Sequence, residues 1–190
     1  MDRTQKSAED RAEDRHDPRG KVRLKLADDV TGGARFSPCG RYRPLLTRVL
    51  TAGEGTILWI GMNPSTAAAD ADDPTVRRET DYSRRWGYRR FVKANVMDFR
   101  ATHPRDLLDP DVAPRSADNL AVIREQAAGA ARIMLAFGAL APALHRYGAE
   151  VVAMLRADGR ALHCLGLTKA GAPRHPLYMR KDCLPLAYEG

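Results

Sequence analysis

The sequence contains few cysteines, few lysines and few aromatic residues, and it has no long hydrophobic run. Its cysteines, Cys39, Cys164 and Cys183, are odd in number and unrelated in spacing, which argues against a disulfide framework and a Cys-x-x-Cys metal site. No apolar segment near the N-terminus suits a signal peptide, and no run approaches the ~20 apolar residues of a membrane span. We therefore expect a reduced, cytoplasmic protein with no membrane contact, no metal and no cofactor.

The positive charge of the chain comes mainly from arginine. Lysine and arginine total 31 against 24 acidic residues, which gives a net charge of +7. Guanidinium groups make bidentate contacts with phosphates and base edges more readily than ammonium groups do. This balance favours DNA or a nucleotide as the partner, although charges spread over a solvated surface would give the same total. It gives no indication of a protein partner.

The chain divides into a short tail and one domain. Residues 1–20 mix acidic and basic side chains with almost no apolar ones, which predicts a disordered charged tail. Residues 21–190 are long enough for a single domain with a substantial core.

Apolar runs that alternate with helical patterns indicate an α/β fold for this domain. Asp73 followed by Pro74 predicts a helix that runs to Trp86, Ser116 predicts another helix start, and Thr31–Gly33 predicts a turn. The predicted strands are Val22–Leu26 at an edge and Ile57–Ile60, Phe91–Val96, Ile133–Phe137 and Ala161–Leu165 in the core. Such alternation predicts right-handed βαβ units, and hence a three-layer α/β/α domain with a mostly parallel central sheet.

Polar residues follow the predicted core strands, and the carboxyl ends of parallel strands meet at one edge of a sheet. They include two amides, Asn63 and Asn95, and the imidazole of His175. An amide donates and accepts in one plane, and a neutral imidazole can donate to an oxygen that gains charge. The set suits a flat ligand with several hydrogen-bonding groups, such as a nucleobase. Alternatively, the amides satisfy backbone groups in their turns, and His175 is a packed surface histidine.

Two further groups of polar residues are candidates for function. Asp73 is explained as a helix cap, whereas Asp72 is not, so Asp72 is a candidate catalytic carboxylate that would activate water. Arg41 and Arg43 flank Tyr42, a combination that can stack on bases and hold phosphates. The alternative for this segment is one buried tyrosine with two solvated arginines.

Several of these segments resemble known families. Gly61–Ser65 resembles the first motif of the uracil-DNA glycosylase superfamily, closest to its Gly-x-Asn-Pro-Gly form, and His175–Leu177 resembles the second motif. Asn95 resembles the base-reading asparagine of that superfamily. From about Ala34 onward the chain also resembles the bacterial and phage family called domain of unknown function 1643, through the segments Phe36–Arg43, Asn63–Ala67, Asp72–Thr75 and Arg174–Leu177.

The glycosylase resemblance implies a uracil-DNA glycosylase-like fold and an N-glycosidic hydrolase that flips and excises a base. It implies that Asn63 positions water, that His175 donates to the departing base and that Asn95 reads the Watson–Crick edge. The implied base site also includes Gly61, Met62, Pro64, Ser65, Leu177 and Tyr178. The implied contacts with the nucleic-acid backbone come from Arg41, Arg43, Lys169, Arg174, Arg180 and Lys181.

Two alternatives to a DNA glycosylase remain open. One is a non-catalytic nucleic-acid-binding module on the same fold. The other is an enzyme that acts on a small phosphorylated metabolite or nucleotide. Fold alone does not choose among them.

Overall fold

The computed structural model describes residues 23–190, so the predicted tail and Val22 lie outside the described residues. The strands are β1 (Leu24–Lys25), β2 (Val30–Arg35), β3 (Leu45–Leu50), β4 (Glu54–Gly61), β5 (Ala71–Asp72), β6 (Tyr88–Asn95), β7 (Arg132–Leu135), β8 (Leu162–Cys164) and β9 (Leu186–Ala187). The α-helices are α1 (Pro74–Arg85), α2 (Asn119–Ala128) and α3 (His145–Ala157), and short 3₁₀ turns occur at Pro104–Leu108, Pro142–Leu144 and Pro176–Tyr178. None of the helices in the described part of the chain is both long and apolar enough to cross a membrane.

The main sheet is mixed, whereas the sequence predicts a mostly parallel one. Its order is β2-β3-β6-β4-β7-β8-β9. The central strands β6, β4, β7 and β8 run parallel, as their alternation with helices predicts. The flanking strands β2, β3 and β9 pair antiparallel. The departure lies at the flanks of the sheet. No α-helix separates β2 from β3 or β8 from β9, so helical alternation gives no signal for these pairs.

The prediction of a turn at Thr31–Gly33 is wrong, because these residues lie inside β2 and pair with β3. A Cβ atom on Gly32 would lie 1.9 Å from the backbone oxygen of Ala69. Gly32 therefore allows the backbone near Ala69 to pass close to β2, and it is not part of a turn.

Helices pack on both faces of the main sheet, and alternate residues of β4 divide between two hydrophobic clusters. Leu58 and Ile60 belong to the cluster that includes residues of α2 and α3. Ile57 and Trp59 belong to the cluster that includes residues of α1. All of these β4 side chains are fully buried, which explains why the strand is an uninterrupted apolar run.

The start of α1 is as predicted, and the start of α2 is not. Asp73 caps α1, since its Oδ1 accepts a hydrogen bond from the backbone N–H of Val76 at 2.8 Å. Ser116 does not cap α2, which begins at Asn119. Instead its backbone N–H and hydroxyl donate to the carboxylate of Asp98 at 2.7 and 2.5 Å. The hydrogen bonds to Asp98 therefore take up Ser116, which lies three residues before the first residue of α2.

Candidate functional site

A cavity of about 680 Å³ lies at the carboxyl ends of β4, β6 and β7. This volume falls within the range of about 300–1,000 Å³ that is typical of small-molecule sites. The predicted site residues that line it are Arg43, Gly61, Met62, Asn63, Ser65, Asn95, Arg174, His175, Leu177 and Tyr178. The prediction that strand ends would bring Asn63, Asn95 and His175 to one place is therefore confirmed. Further lining residues that were not predicted are Asp73, Thr75, Lys93, Thr102, Phe137 and Thr168.

Asn95 lines the cavity with a buried carboxamide. The residue is 1% exposed, and neither Oδ1 nor Nδ2 has a hydrogen-bond partner among the described residues. Leaving a buried polar group unpaired costs about 1–3 kcal/mol. The amide is thus available to a ligand that supplies both a donor and an acceptor.

Gly61 provides the space into which two polar side chains of β6 extend. A Cβ atom on Gly61 would lie 2.7 Å from Oδ1 of Asn95 and 2.9 Å from Nζ of Lys93. Lys93 and Asn95 are two residues apart on one strand, so they point to the same face of the sheet. The glycine of the first motif therefore permits the close approach of an amide and an ammonium group.

Lys93 is held by a buried ion pair with Glu79 of α1. Its Nζ donates to the carboxylate oxygens of Glu79 at 2.6 and 2.7 Å, and the two side chains are 6% and 0% exposed. Burial raises the pKa of Glu79, while the ammonium group of Lys93 opposes that shift. Sequence reasoning missed both residues. The available signal was a lysine within the apolar strand Phe91–Val96.

The amide of Asn63 is fixed by the turn that follows β4. Its Nδ2 donates to the backbone oxygens of Pro64 and Ala101 at 2.8 and 2.9 Å. Carbonyl oxygens only accept, so these contacts set the orientation of the amide. Both Nδ2 hydrogens are engaged, and Oδ1 is the atom that can accept from a water or a ligand in the cavity.

His175 stands immediately before the 3₁₀ turn Pro176–Tyr178. Its Nδ1 accepts a hydrogen bond from the backbone N–H of Leu177 at 3.4 Å. A nitrogen that accepts must carry a lone pair, so a neutral ring in this arrangement bears its proton on Nε2. The geometry thus favours the tautomer that donates through Nε2.

Arg43, for which the sequence predicts a contact with a nucleic-acid backbone, is a buried part of the cavity wall. It is 1% exposed, and its guanidinium donates to the backbone oxygen of Ala67 while its Nε has no partner among the described residues. Burial lowers the pKa of Arg43 to about 10, and the nearby carboxylate of Asp73 opposes this shift. Its position suits contact with a bound ligand rather than with a nucleic-acid backbone outside.

Asp72, the predicted catalytic carboxylate, is not among the residues that line the cavity. Its two oxygens accept from Nε of Arg48 at 2.8 Å and from Nε of Arg77 at 2.9 Å, and the carboxylate is 2% exposed. Both oxygens are therefore engaged in ion pairs. These contacts give Asp72 a structural role, whereas helix capping accounts only for its neighbour Asp73.

The remaining predicted residues lie around the cavity or away from it. Pro64 is buried in the turn after β4 and does not line the cavity. Arg174 lies on the wall with its Nε donating to the backbone oxygen of Leu167 at 2.9 Å. Four of the residues predicted to contact a nucleic-acid backbone are exposed and do not line the cavity: Arg41, Lys169, Arg180 and Lys181.

The fold and the cavity together define an α/β protein with a ligand-sized site at the carboxyl ends of its parallel strands. Residues 41–177 match the DUF1643 family, described as a protein of unknown function, and the chain belongs to that family. The resemblance of the sequence to that family is thereby confirmed. No curated protein and no solved structure matches the chain.

Proposed function

We propose that this chain is a nucleobase-recognising enzyme that acts on DNA or a nucleotide by hydrolysing an N-glycosidic bond. The observation that carries the proposal is the buried Asn95 amide, which lines the cavity with neither polar atom paired among residues 23–190. A nucleobase edge carries adjacent donors and acceptors and would satisfy both atoms. Enzymes that act on a base in DNA commonly bind it flipped out in such a pocket.

The architecture supports a relationship to the glycosylase superfamily. Helices pack on both faces of a sheet with a parallel centre, which we interpret as a three-layer α/β/α domain similar to the uracil-DNA glycosylase fold. The order of Gly61–Ser65, Asn95 and His175–Leu177 along the chain agrees with that superfamily. We expect the reaction to take place in the cytoplasm, where the free thiols remain reduced.

In the proposed reaction a water oxygen bonds to the anomeric carbon of the sugar while the bond from that carbon to the base nitrogen breaks. The base departs as an anion with the electron pair of that bond, and the attacking water releases its proton to the bulk solvent, which reprotonates the base. Asn63 accepts a hydrogen bond from the water through Oδ1 and orients it, because an amide is too weak a base to deprotonate it fully. His175 donates from Nε2 to the base oxygen that becomes anionic.

Residues at the edge of the cavity would hold the rest of a nucleic acid. Leu177 and Tyr178 are 39% and 81% exposed, so either side chain can fill the stack that a flipped base leaves. Phe137 offers an aromatic wall to the base. The exposed cations proposed to contact phosphates are Arg41, Lys169, Arg174, Arg180 and Lys181.

A base-release assay tests this proposal. Oligonucleotides that carry uracil, hypoxanthine, mismatched thymine or modified cytosines, as single strands and duplexes, would be scored for abasic product. We expect release by the wild type and a loss of about 10²-fold or more in Asn63→Ala and in His175→Ala, the scale of positioned acid–base contributions. His103→Ala, an exposed histidine outside the cavity lining, is the matched control and should retain full activity.

Wild-type rates in both site variants would contradict the assigned roles. Salt-dependent DNA binding without product from any substrate would instead identify a non-catalytic binding module.

A phosphorylated nucleotide is the second candidate ligand, and the buried cations favour it. Arg43 and Lys93 line a cavity whose volume suits one small molecule. Thermal-shift measurements would compare nucleoside monophosphates with the matching nucleosides. A ligand at 100 times its Kd stabilises the folded state by about 2.7 kcal/mol, so a shift that requires the phosphate would favour this candidate.

A further inference from the structure

The amide of Asn95 cannot by itself distinguish one kind of base edge from another. Rotating a carboxamide by half a turn exchanges its donor and its acceptor. Neither Oδ1 nor Nδ2 of Asn95 is held by a hydrogen bond within the described residues. The side chain can therefore face the C=O and N–H groups of an oxo base or the N and NH₂ groups of an amino base. A second group is needed for selectivity.

Lys93 lies where it can supply that selectivity. Its Nζ and the Oδ1 of Asn95 are 2.9 and 2.7 Å from a single point, the position of a Cβ atom on Gly61. Lys93 and Asn95 both line the cavity, so a base edge bound at Asn95 lies within reach of the ammonium group. Glu79 holds Nζ through both carboxylate oxygens, at 2.6 and 2.7 Å. An ammonium has three hydrogens, so one remains for a ligand.

The ammonium group is a donor and carries a positive charge. A base oxygen beside it gains a charge-assisted hydrogen bond, whereas an amino group beside it presents hydrogen to hydrogen. Burial strengthens both effects, because the surroundings screen charge less than water does. Lys93 is 5% exposed, so this condition applies.

We propose that Lys93, held in place by Glu79, reads the base beside Asn95 and makes the cavity selective for oxo bases over amino bases. This inference rests on the proposed function in that it takes the cavity to be a nucleobase site. It goes further by assigning the selectivity to Lys93 and Glu79, two residues that belong to neither of the motifs. This role would also account for the burial of the Lys93–Glu79 ion pair, since a buried ion pair often adds no net stability to a fold.

Equilibrium binding of free bases tests the inference without requiring catalysis. Isothermal titration would compare uracil with cytosine and hypoxanthine with adenine, pairs in which an oxo group replaces an amino group. We expect the wild type to bind at least one oxo base about tenfold or more tightly than its amino partner, which corresponds to about 1.4 kcal/mol. The double variant Lys93→Met/Glu79→Gln removes both charges at similar volume, and its preference should fall below about threefold.

Two further variants separate selectivity from folding. Lys93→Arg keeps a cation that only donates and should keep most of the preference. Arg124→Met/Asp158→Asn removes an ion pair on the exposed surface, with an N–O distance of 2.7 Å, and should leave the preference unchanged. Circular dichroism and thermal unfolding would verify that each variant is folded. If the double variant does not fold, Lys93→Met alone gives the comparison with Lys93→Arg.

The inference is overturned if the wild type binds oxo and amino bases equally, if it binds neither, or if the preference persists without the Lys93 cation. The base-release assay reports separately on hydrolysis. Release of oxo and amino bases at equal rates, dependent on Asn63, would leave the N-glycosidic hydrolase standing and remove the role of Lys93. Selective binding without release would support the role of Lys93 and remove the hydrolase.

Discussion

The side chain of Asn119 donates a hydrogen bond from Nδ2 to the backbone oxygen of Asn95 at 3.0 Å. Both asparagines are buried, at 0% and 1% exposure, but they use their amides differently. Asn119 ties the start of α2 to the end of β6, whereas the amide of Asn95 is unpaired within the described structure. One asparagine thus stabilises the strand end, and the other is available for a ligand.

This difference predicts opposite effects of two alanine substitutions on stability. Asn119→Ala should lower the free energy of unfolding by about 1–3 kcal/mol, because a buried backbone oxygen loses its partner. Asn95→Ala should change it by less than about 1 kcal/mol, since removing an unpaired amide offsets the loss of packing. Urea unfolding of both variants measures this. A larger loss for Asn95→Ala than for Asn119→Ala would show that the Asn95 side chain serves stability.

Gly61→Ala should impair ligand binding more than it impairs folding. The new methyl group would lie within 3.0 Å of the amide of Asn95 and the ammonium of Lys93 and would displace both. We expect base affinity to fall by about tenfold or more, since a misplaced polar group cannot form its hydrogen bonds. Gly129→Ala, where a Cβ atom meets nothing within 4 Å, is the matched control. Equal affinities of the two variants for a base would contradict the assignment of this surface to binding.

Asp72→Asn tests the structural role of the carboxylate. The substitution leaves the buried guanidinium of Arg48 without its charged partner, which lies at 2.8 Å in the wild type. Breaking a buried pair from one side costs about 3–5 kcal/mol, so the urea midpoint should fall sharply. Asp81→Asn breaks the partly exposed pair with Arg84 and should cost no more than about 1 kcal/mol. If Asp72→Asn instead unfolds like the wild type and loses base release, Asp72 is catalytic after all.

The thiol of Cys39 should react near neutral pH. Hydrogen bonds from the Ser37 side chain and from the backbone N–H of Arg41 lower the pKa of this exposed thiol to about 7. The thiolate is the reactive form, so the rate of alkylation by iodoacetamide should rise through a midpoint near that pH. Ser37→Ala removes the largest cause of the shift and should move the midpoint upward, toward the ordinary value of 9.0. Buried Cys164, whose pKa is raised by burial, serves as the internal control and should react slowly. A midpoint that Ser37→Ala leaves unmoved would rule out this hydrogen bond as the cause.

Local patterns predicted the parts of the fold that depend on short-range chemistry. An acidic cap followed by proline predicted the start of α1 at Pro74, and apolar runs that alternate with helical patterns predicted the parallel central strands. The general rule that strand ends meet at one edge predicted from the sequence that Asn63, Asn95 and His175 lie together. These inferences succeeded because helix capping and the burial of a strand depend on residues adjacent in the chain, and because alternation of strands with helices sets the direction of the central strands.

The edges of the sheet were harder to predict for the same reason. β3 carries mixed polar and apolar residues and pairs antiparallel with both β2 and β6, partners that no local pattern identifies. The glycines of β2 are typical of a turn in sequence, but Gly32 is explained by the passing backbone of Ala69. Both features depend on segments distant in the chain.

The sequence by itself determined the α/β class, the family and the amides and imidazole of the cavity. Only the tertiary structure decided which charges belong to the site. Lys93 and Arg43 line the cavity, whereas Asp72 is withdrawn into ion pairs with Arg48 and Arg77. The physical reason is that the role of a charged side chain depends on its burial and on the charge that faces it. Packing of helix against sheet sets both, as for Glu79 on α1 and Lys93 on β6.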